Sequence, residues 1–172
     1  IENGEPLPTL KRVLSAGAPI PPKLHRDFQQ LLQPGVEVHT PYGATESLPV
    51  ATIGSTMVLE ETAKKTDNGL GTCVGTIAPN MRIEIIQISD DAIEQWPDAK
   101  PLTQGEIGEI CVQGLVVTTE YKEEPNHTKM AKMYDGEKIW HRMGDVGYID
   151  TEGRLWFCGR KKHRVVCTDG ET

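Results

Sequence analysis

Three stretches of this chain of 172 residues carry side chains suited to chemistry. The first is Thr40-Pro41-Tyr42-Gly43-Ala44-Thr45-Glu46-Ser47. In a Gly/Pro-containing loop, glycine lets a ligand approach the backbone, and free N–H groups can meet an anion. Tyr42 offers a flat face to a base. Thr45 offers a hydroxyl to a phosphate oxygen, and Glu46 is a hard oxygen ligand suited to Mg²⁺. The same residue types also describe a plain polar turn. The second stretch, Trp140-His141-Arg142-Met143-Gly144-Asp145-Val146-Gly147-Tyr148, holds one carboxylate among glycines. Asp145 is either a turn former or an acceptor for two ribose hydroxyls, in charge-assisted bonds. The third, Gly159-Arg160-Lys161-Lys162-His163-Arg164, is the one concentrated basic run. It reads as a solvated face, a phosphate contact or a flexible connector.

The elements that must position these residues are short. Lys11 to Ser15 reads as a strand ended by Ala16-Gly17-Ala18-Pro19. A helix follows, with Pro22 in its first turn, where the missing N–H would be unpaired anyway. Leu24, Phe28, Leu31 and Leu32 give it one apolar face, and Pro34-Gly35 stops it. Val36 to Val38 alternates as a strand, and a loop begins at Thr40. This strand–helix–strand order predicts a parallel α/β arrangement. From about Gly69 the pattern becomes short strands and turns. Met81, Ile83 and Ile85 alternate, Ile107 to Val112 and Val116 to Thr119 read as strands, and Asp150 to Gly153 is a hairpin turn. Asp90 to Thr103 reads as an exposed loop, and Thr128 to Met133 as one or two helical turns.

Composition excludes several classes. The net charge of −7 argues against a nucleic-acid partner, though local groups can still hold a nucleotide. No apolar run approaches the ~20 residues of a transmembrane helix. Cys73, Cys111, Cys158 and Cys167 form no C-x-x-C pair. Their scatter fits reduced thiols in a cytoplasmic protein, with Cys158 expected buried as a small apolar residue. The chain begins at Ile1 and ends in the turn-forming Asp169-Gly170-Glu171-Thr172, which reads as a piece of a longer protein.

Taken in order, these stretches resemble the adenylate-forming superfamily of acyl-CoA synthetases, luciferases and peptide-synthetase adenylation domains. Ser15 to Pro19 is similar to the segment whose backbone lies against adenine. Tyr42-Gly43-Ala44-Thr45-Glu46 matches Y-G-x-T-E, Gly105 to Gly114 resembles the G-E-x-x-x-x-G strand motif, and Tyr121, Pro125 and Thr128 fit Y-x-x-x-P-x-x-T. Gly144-Asp145 and Gly159-Arg160 match its G-D and G-R pairs. The resemblance implies a truncated adenylate-forming fold and an ATP-dependent, acid-activating ligase that uses ATP/AMP and Mg²⁺. It implies nucleotide binding by Gly17, Ala18, Pro19, Thr40, Pro41, Tyr42, Gly43, Ala44, Thr45, Asp145 and Arg160. Thr45 and Glu46 would be catalytic, Glu46 would hold the metal, and Lys162 would be the hinge to a further domain. His39 to Glu46, Trp140 to Asp145 and Leu155 to Arg160 are most similar to the olefin-biosynthesis branch of fatty acyl-CoA ligases and β-lactone synthetases. Met143 in place of the usual Thr favours that branch. His39 is either near the acyl pocket or a structural histidine at a strand end.

The expected partners are a fatty or β-hydroxy fatty acid and, for a ligase, CoA. The superfamily's lysine-ended phosphate loop and C-terminal catalytic lysine have no counterpart here, so the 172 residues alone are expected to be inactive. The alternatives are a non-catalytic AMP-binding or interaction module of the same fold, or a β-rich scaffold with no ligand. The expected architecture is an α/β lobe over residues 1–68, a β-rich barrel-like lobe over 69–159, and a hinge stub over 160–172. The cleft is expected between the lobes, with bare apolar surface promoting self-association.

Overall fold

The computed structural model describes residues 7–165. Cys167 and the terminal turn at 169–172 lie outside the described residues. The first elements are β1 (Val13–Leu14), α1 (Pro22–Gln29) and β2 (Val38–Ala44), and β1 pairs parallel to β2. The expected β–α–β unit is therefore present. Its helix is shorter than the apolar spacing suggested. Leu31 and Leu32 are buried in the turn beyond Gln29, and the residue that α1 itself buries is His25.

The strand of the second half of this unit begins and ends later than expected. It starts at Val38 and runs through Thr40 to Ala44. The stretch read as a loop is thus the end of β2 and a two-residue turn, Thr45-Glu46, leading into β3 (Ser47–Gly54). Ala44 pairs with Ser47, and the register shifts between Tyr42 and Ala44, leaving Gly43 in a bulge. A Cβ at Gly43 would collide with the Ser47 carbonyl oxygen and come within 2.8 Å of Leu48. The glycine is required by the hairpin's own backbone, which is a sufficient reason without a ligand. A bulge twists its strand and re-aims the neighbouring side chain, here Tyr42.

A helical segment absent from the sequence reading follows. It consists of α2 (Ser55–Met57), a π-helical turn (Val58–Thr62) and α3 (Ala63–Asp67). Then come β4 (Thr72–Ile77), β5 (Met81–Ile86) and β6 (Gly108–Gly114). Residues 115–120 form a turn and irregular backbone, so the strand expected over Val116 to Thr119 is not there. The helix α4 (Pro125–Ala131) ends before Lys132, and β7 (Lys132–Asp135) replaces the last helical positions expected there. The chain closes with β8 (Lys138–Ile149) and β9 (Arg154–Arg160), joined by the expected Asp150–Gly153 hairpin, and a 3₁₀ turn over Lys161–His163.

The strands form one sheet in the order β1-β2-β3-β4-β9-β8-β6-β5, with β7 on β8, and every pairing after β1–β2 is antiparallel. Ile83 and Ile85 on β5, at one end of that path, share a core cluster with Val50 and Ala51 on β3. The sheet therefore curls back on itself, barrel-like, around apolar residues spaced two apart. Met143 is buried in this cluster, so its side chain serves the core. The 90–103 segment is anchored rather than free. Trp96, in a 3₁₀ turn (Trp96–Asp98), stacks on the fully buried Trp140 at 4.2 Å between ring centroids, and Ala99 is buried. Cys73 and Cys111 are buried, whereas Cys158 is exposed, opposite to expectation. It lies toward the end of β9, where the buried run Arg154-Leu155-Trp156 gives way to half-buried and exposed positions.

Candidate functional site

Asp145 sits on β8 directly opposite Arg160 on β9. Its carboxylate is held from two directions. The Tyr42 hydroxyl donates to Oδ2 at 2.6 Å, and Arg160 Nη1 donates to Oδ1 at 2.9 Å. These residues come from three strands and span 118 positions of chain between Tyr42 and Arg160. The Asp145 side chain is 6 % exposed and that of Arg160 56 % exposed. Burial raises the Asp145 carboxyl above the usual carboxylate range, opposed by the Tyr42 bond and the Arg160 charge. Burial, and then the neighbouring Asp145 charge, push the Tyr42 phenol well up, so it remains a donor. Each carboxylate oxygen accepts one protein bond and retains acceptor capacity for one more.

This cluster lines a cavity of about 390 Å³, within the usual range for small-molecule sites. Gly17, Ala18 and Pro19 form part of its wall, as do Thr40, Pro41 and Gly43 beside Tyr42. Gly17 has φ of 100°, a conformation that disfavours any side chain. Nine of the eleven residues expected at a nucleotide thus share one cavity. Ala44 and Thr45 do not line it. Ala44 packs on the core, and Thr45 is exposed in the hairpin turn. Lys162 is exposed in the 3₁₀ turn beyond Arg160, and His39 lies on β2; neither lines the cavity.

Two buried polar atoms belong to the cavity wall and lack hydrogen-bond partners among the described residues: Thr40 Oγ1 and His25 Nδ1. Burial lowers the His25 pKa, favouring the neutral ring. Unpartnered buried polar atoms are costly to the fold. Phe157, whose ring centroid is 6.2 Å from that of Tyr42, extends the aromatic wall. The sequence reading gave Phe157 no role at the site, and His25 and the 55–67 helical wall carried no signal.

Glu46 lies outside this cavity. Its carboxylate Oε1 accepts from the Tyr121 hydroxyl at 2.7 Å; Tyr121, but not Glu46, lines a second, wider hollow of about 680 Å³. Burial pushes the Glu46 carboxyl up. The Tyr121 bond, a bond from its own backbone and the nearby His141 and Lys132 outweigh this, leaving it lowered and ionised. Burial depresses Lys132 to about 8 and His141 to about 4. Among the described residues no three His, Cys, Asp or Glu side chains cluster as a metal cage. One ionised carboxylate suits Mg²⁺, which takes one or two protein carboxylates and fills its other positions with phosphate oxygens and water.

A cavity built where a parallel β–α–β unit meets a curled antiparallel sheet, with a twice-held carboxylate and an aromatic wall, defines a small-molecule-binding α/β protein. The particular family is given by residues 2–122, which match the AMP-binding enzymes; the chain belongs to that family. The chain is 46% identical over 98% of its length to an olefin beta-lactone synthetase of Stenotrophomonas maltophilia, and 33% identical over 94% of its length to a 4-coumarate–CoA ligase-like protein of Arabidopsis thaliana. It spans about a third or less of these relatives, 31% of the first and 25% of the second. Among solved structures it is similar to VinN, with 28% identity, a TM-score of 0.69, and 92% of this chain and 35% of that one covered. The O-succinylbenzoate coenzyme A synthetase of Bacillus subtilis, solved with ATP and a magnesium ion, shares the fold, with 23% identity, a TM-score of 0.72, and 98% of this chain and 30% of that one covered. The adenylate-forming fold expected from the motifs is thereby found. Among the described residues no helix is long and apolar enough to cross a membrane.

Proposed function

We propose that the protein to which this chain belongs is an ATP-dependent ligase that activates a fatty or β-hydroxy fatty acid as its acyl-AMP. The observation that carries this reading is the double hold on Asp145 by Tyr42 and Arg160 inside the cavity that Gly17, Ala18 and Pro19 also line. Adenine would lie between the Tyr42 ring and the Gly17-Ala18 backbone. The ribose hydroxyls would donate to the remaining acceptor sites of Asp145, and Arg160 would keep that carboxylate ionised and oriented. An acid oxygen then attacks the α-phosphorus, a P–O bond forms, and the bond to pyrophosphate breaks. Mg²⁺, when bound, would neutralise charge on the phosphoryl oxygens. Glu46 would hold that ion, and Thr45, exposed at the hairpin tip, would donate to an α-phosphate oxygen.

The 46% identity to the Stenotrophomonas relative favours the β-lactone branch. In that case the substrate's β-hydroxyl attacks the acyl carbonyl and expels AMP; in a CoA ligase the thiol does so. The three-part division, 1–68, 69–159 and a hinge at Lys162, is part of the proposal. So is a cytoplasmic setting, supported by the free thiols of Cys73 and Cys111. Leu14, 68 % exposed on β1 at the end of the sheet, marks the surface proposed for self-association. The test is ATP–pyrophosphate exchange by the full-length protein against fatty and β-hydroxy fatty acids. Exchange that depends on such an acid supports the reading. AMP binding without exchange for any acid would favour a non-catalytic AMP-binding module, a reading consistent with Thr45 and Glu46 lying outside the cavity.

A further inference from the structure

We infer that Tyr121 and Lys132 are positioning residues that aim Glu46 at its cation; this rests on the reading of Glu46 as the metal ligand. Glu46 stands at the tip of a two-residue hairpin turn. A glutamate at such a tip ordinarily samples many rotamers, and holding one costs entropy at the moment of binding. Here the residue is already fixed at two points. Tyr121 Oη donates to its carboxylate Oε1 at 2.7 Å, and the Thr118 amide donates to its main-chain oxygen at 2.8 Å. Besides Tyr121 and the glutamate's own backbone, none of the described residues donates to the carboxylate, which keeps acceptor capacity for a cation.

The segment that grips Glu46 is itself held by a buried cation. Lys132, 1 % exposed on β7, donates through Nζ to the Thr118 carbonyl at 2.6 Å and to Thr118 Oγ1 at 3.1 Å. The same ammonium lies 5.8 Å from the Tyr121 ring centroid, within cation–π range. Among the described residues it makes no salt bridge with a carboxylate. A buried ammonium held only by neutral oxygens and a ring is a costly feature for the fold. Its two partners, Thr118 and Tyr121, are the two residues that bond Glu46. Tyr121 is fixed from the other side, where its amide donates to Thr128 Oγ1 on α4 at 2.9 Å. Neither Tyr121 nor Lys132 lines the cavity that holds Asp145. Their effect should therefore fall on the metal and leave the nucleoside contacts alone.

The test uses the full-length protein with Tyr121→Phe, Lys132→Met and Glu46→Gln, singly, and each of the first two combined with Glu46→Gln. Free Mn²⁺ is followed by electron paramagnetic resonance in the presence of ATP, and metal-free AMP affinity is measured by calorimetry. The expected result is about a tenfold weaker Mn²⁺ dissociation constant for Tyr121→Phe, the loss of one bond to a charged group. A weakening in the same direction is expected for Lys132→Met, with AMP affinity within about twofold of wild type for both. In the Glu46→Gln background neither change should weaken Mn²⁺ further. If Glu46→Gln weakens Mn²⁺ binding and Tyr121→Phe does not, the positioning role is overturned and the metal role of Glu46 survives. If Glu46→Gln binds Mn²⁺ as wild type does, both fall. If Lys132→Met does not fold, the Tyr121→Phe cycle decides by itself.

Discussion

Replacing Asp145 with Asn keeps the side chain's shape and removes its charge. Both oxygens are already engaged, Oδ2 by Tyr42 and Oδ1 by Arg160. The guanidinium can only donate, so the amide oxygen must stay on the Arg160 side and the NH₂ must turn toward Tyr42, whose hydroxyl can rotate to accept. A ribose would then find one neutral acceptor in place of two charged ones. Charge-assisted bonds contribute about 1.5–3 kcal/mol each. Losing one and weakening the other amounts to about 3 kcal/mol, or roughly a 100-fold loss of AMP affinity at 1.4 kcal/mol per tenfold. Calorimetric titration of the full-length protein reads this directly. The 2′-deoxy and 3′-deoxy forms of AMP make it specific. Wild type should lose about tenfold with each, and Asp145→Asn no more than about threefold. If the deoxy ligands lose as much on the variant as on wild type, Asp145 does not contact the ribose and the reasoning fails.

Four further outcomes follow from the same geometry. Gly43→Ala should fail to give a stable protein or should lower the melting temperature by several degrees, because its Cβ meets the Ser47 backbone; an unchanged melting curve would contradict the bulge. His141 is depressed to about 4 by burial and then by the Lys132 charge. The unfolded chain binds its proton below about 6.5, so stability is full above that pH and falls as pH drops toward 4. In His141→Gln, urea midpoints should vary less over that window, and an unaltered slope would count against a buried neutral ring. Asp150 is held at about 2; burial opposes the shift, and the Trp156 Nε1 and Arg154 bonds overcome it. Its stabilisation is present above about 4 and is lost as pH falls through about 2, so Asp150→Asn should be less stable at neutral pH and show a flatter acid limb in circular-dichroism melts. The 172-residue chain alone should release no pyrophosphate from ATP in a coupled assay; measurable release would show that it carries a complete catalytic apparatus.

The parts of the fold legible in the sequence are those where local pattern and tertiary role agree. Pro22 began α1, Met81, Ile83 and Ile85 alternated as β5 does, and Asp150 to Gly153 made its hairpin. The misses share a physical cause. Thr40 to Ala44 contains Pro41 and Gly43, both poor strand formers, yet pairing with β3 and a bulge at Gly43 hold them in β2. Lys132 reads as a helical residue, but its ammonium is drawn inward by Thr118 and its backbone pairs with His141. The 55–67 helical segment lacks a clean amphipathic period because a π turn interrupts it. At the site, motif order assigned Tyr42, Asp145 and Arg160 to one ligand, and the fold brings the three side chains into contact. Motif order did not reveal that Glu46 turns away from them, because that depends on Tyr121, 75 residues later.

The most direct measurement is a crystal structure of the full-length protein grown with AMP. The nucleotide is expected with its base against the Tyr42 ring and the Gly17-Ala18 backbone, and with both ribose hydroxyls within hydrogen-bond distance of Asp145. AMP bound elsewhere, or a cavity that stays empty at saturating AMP, would contradict the account.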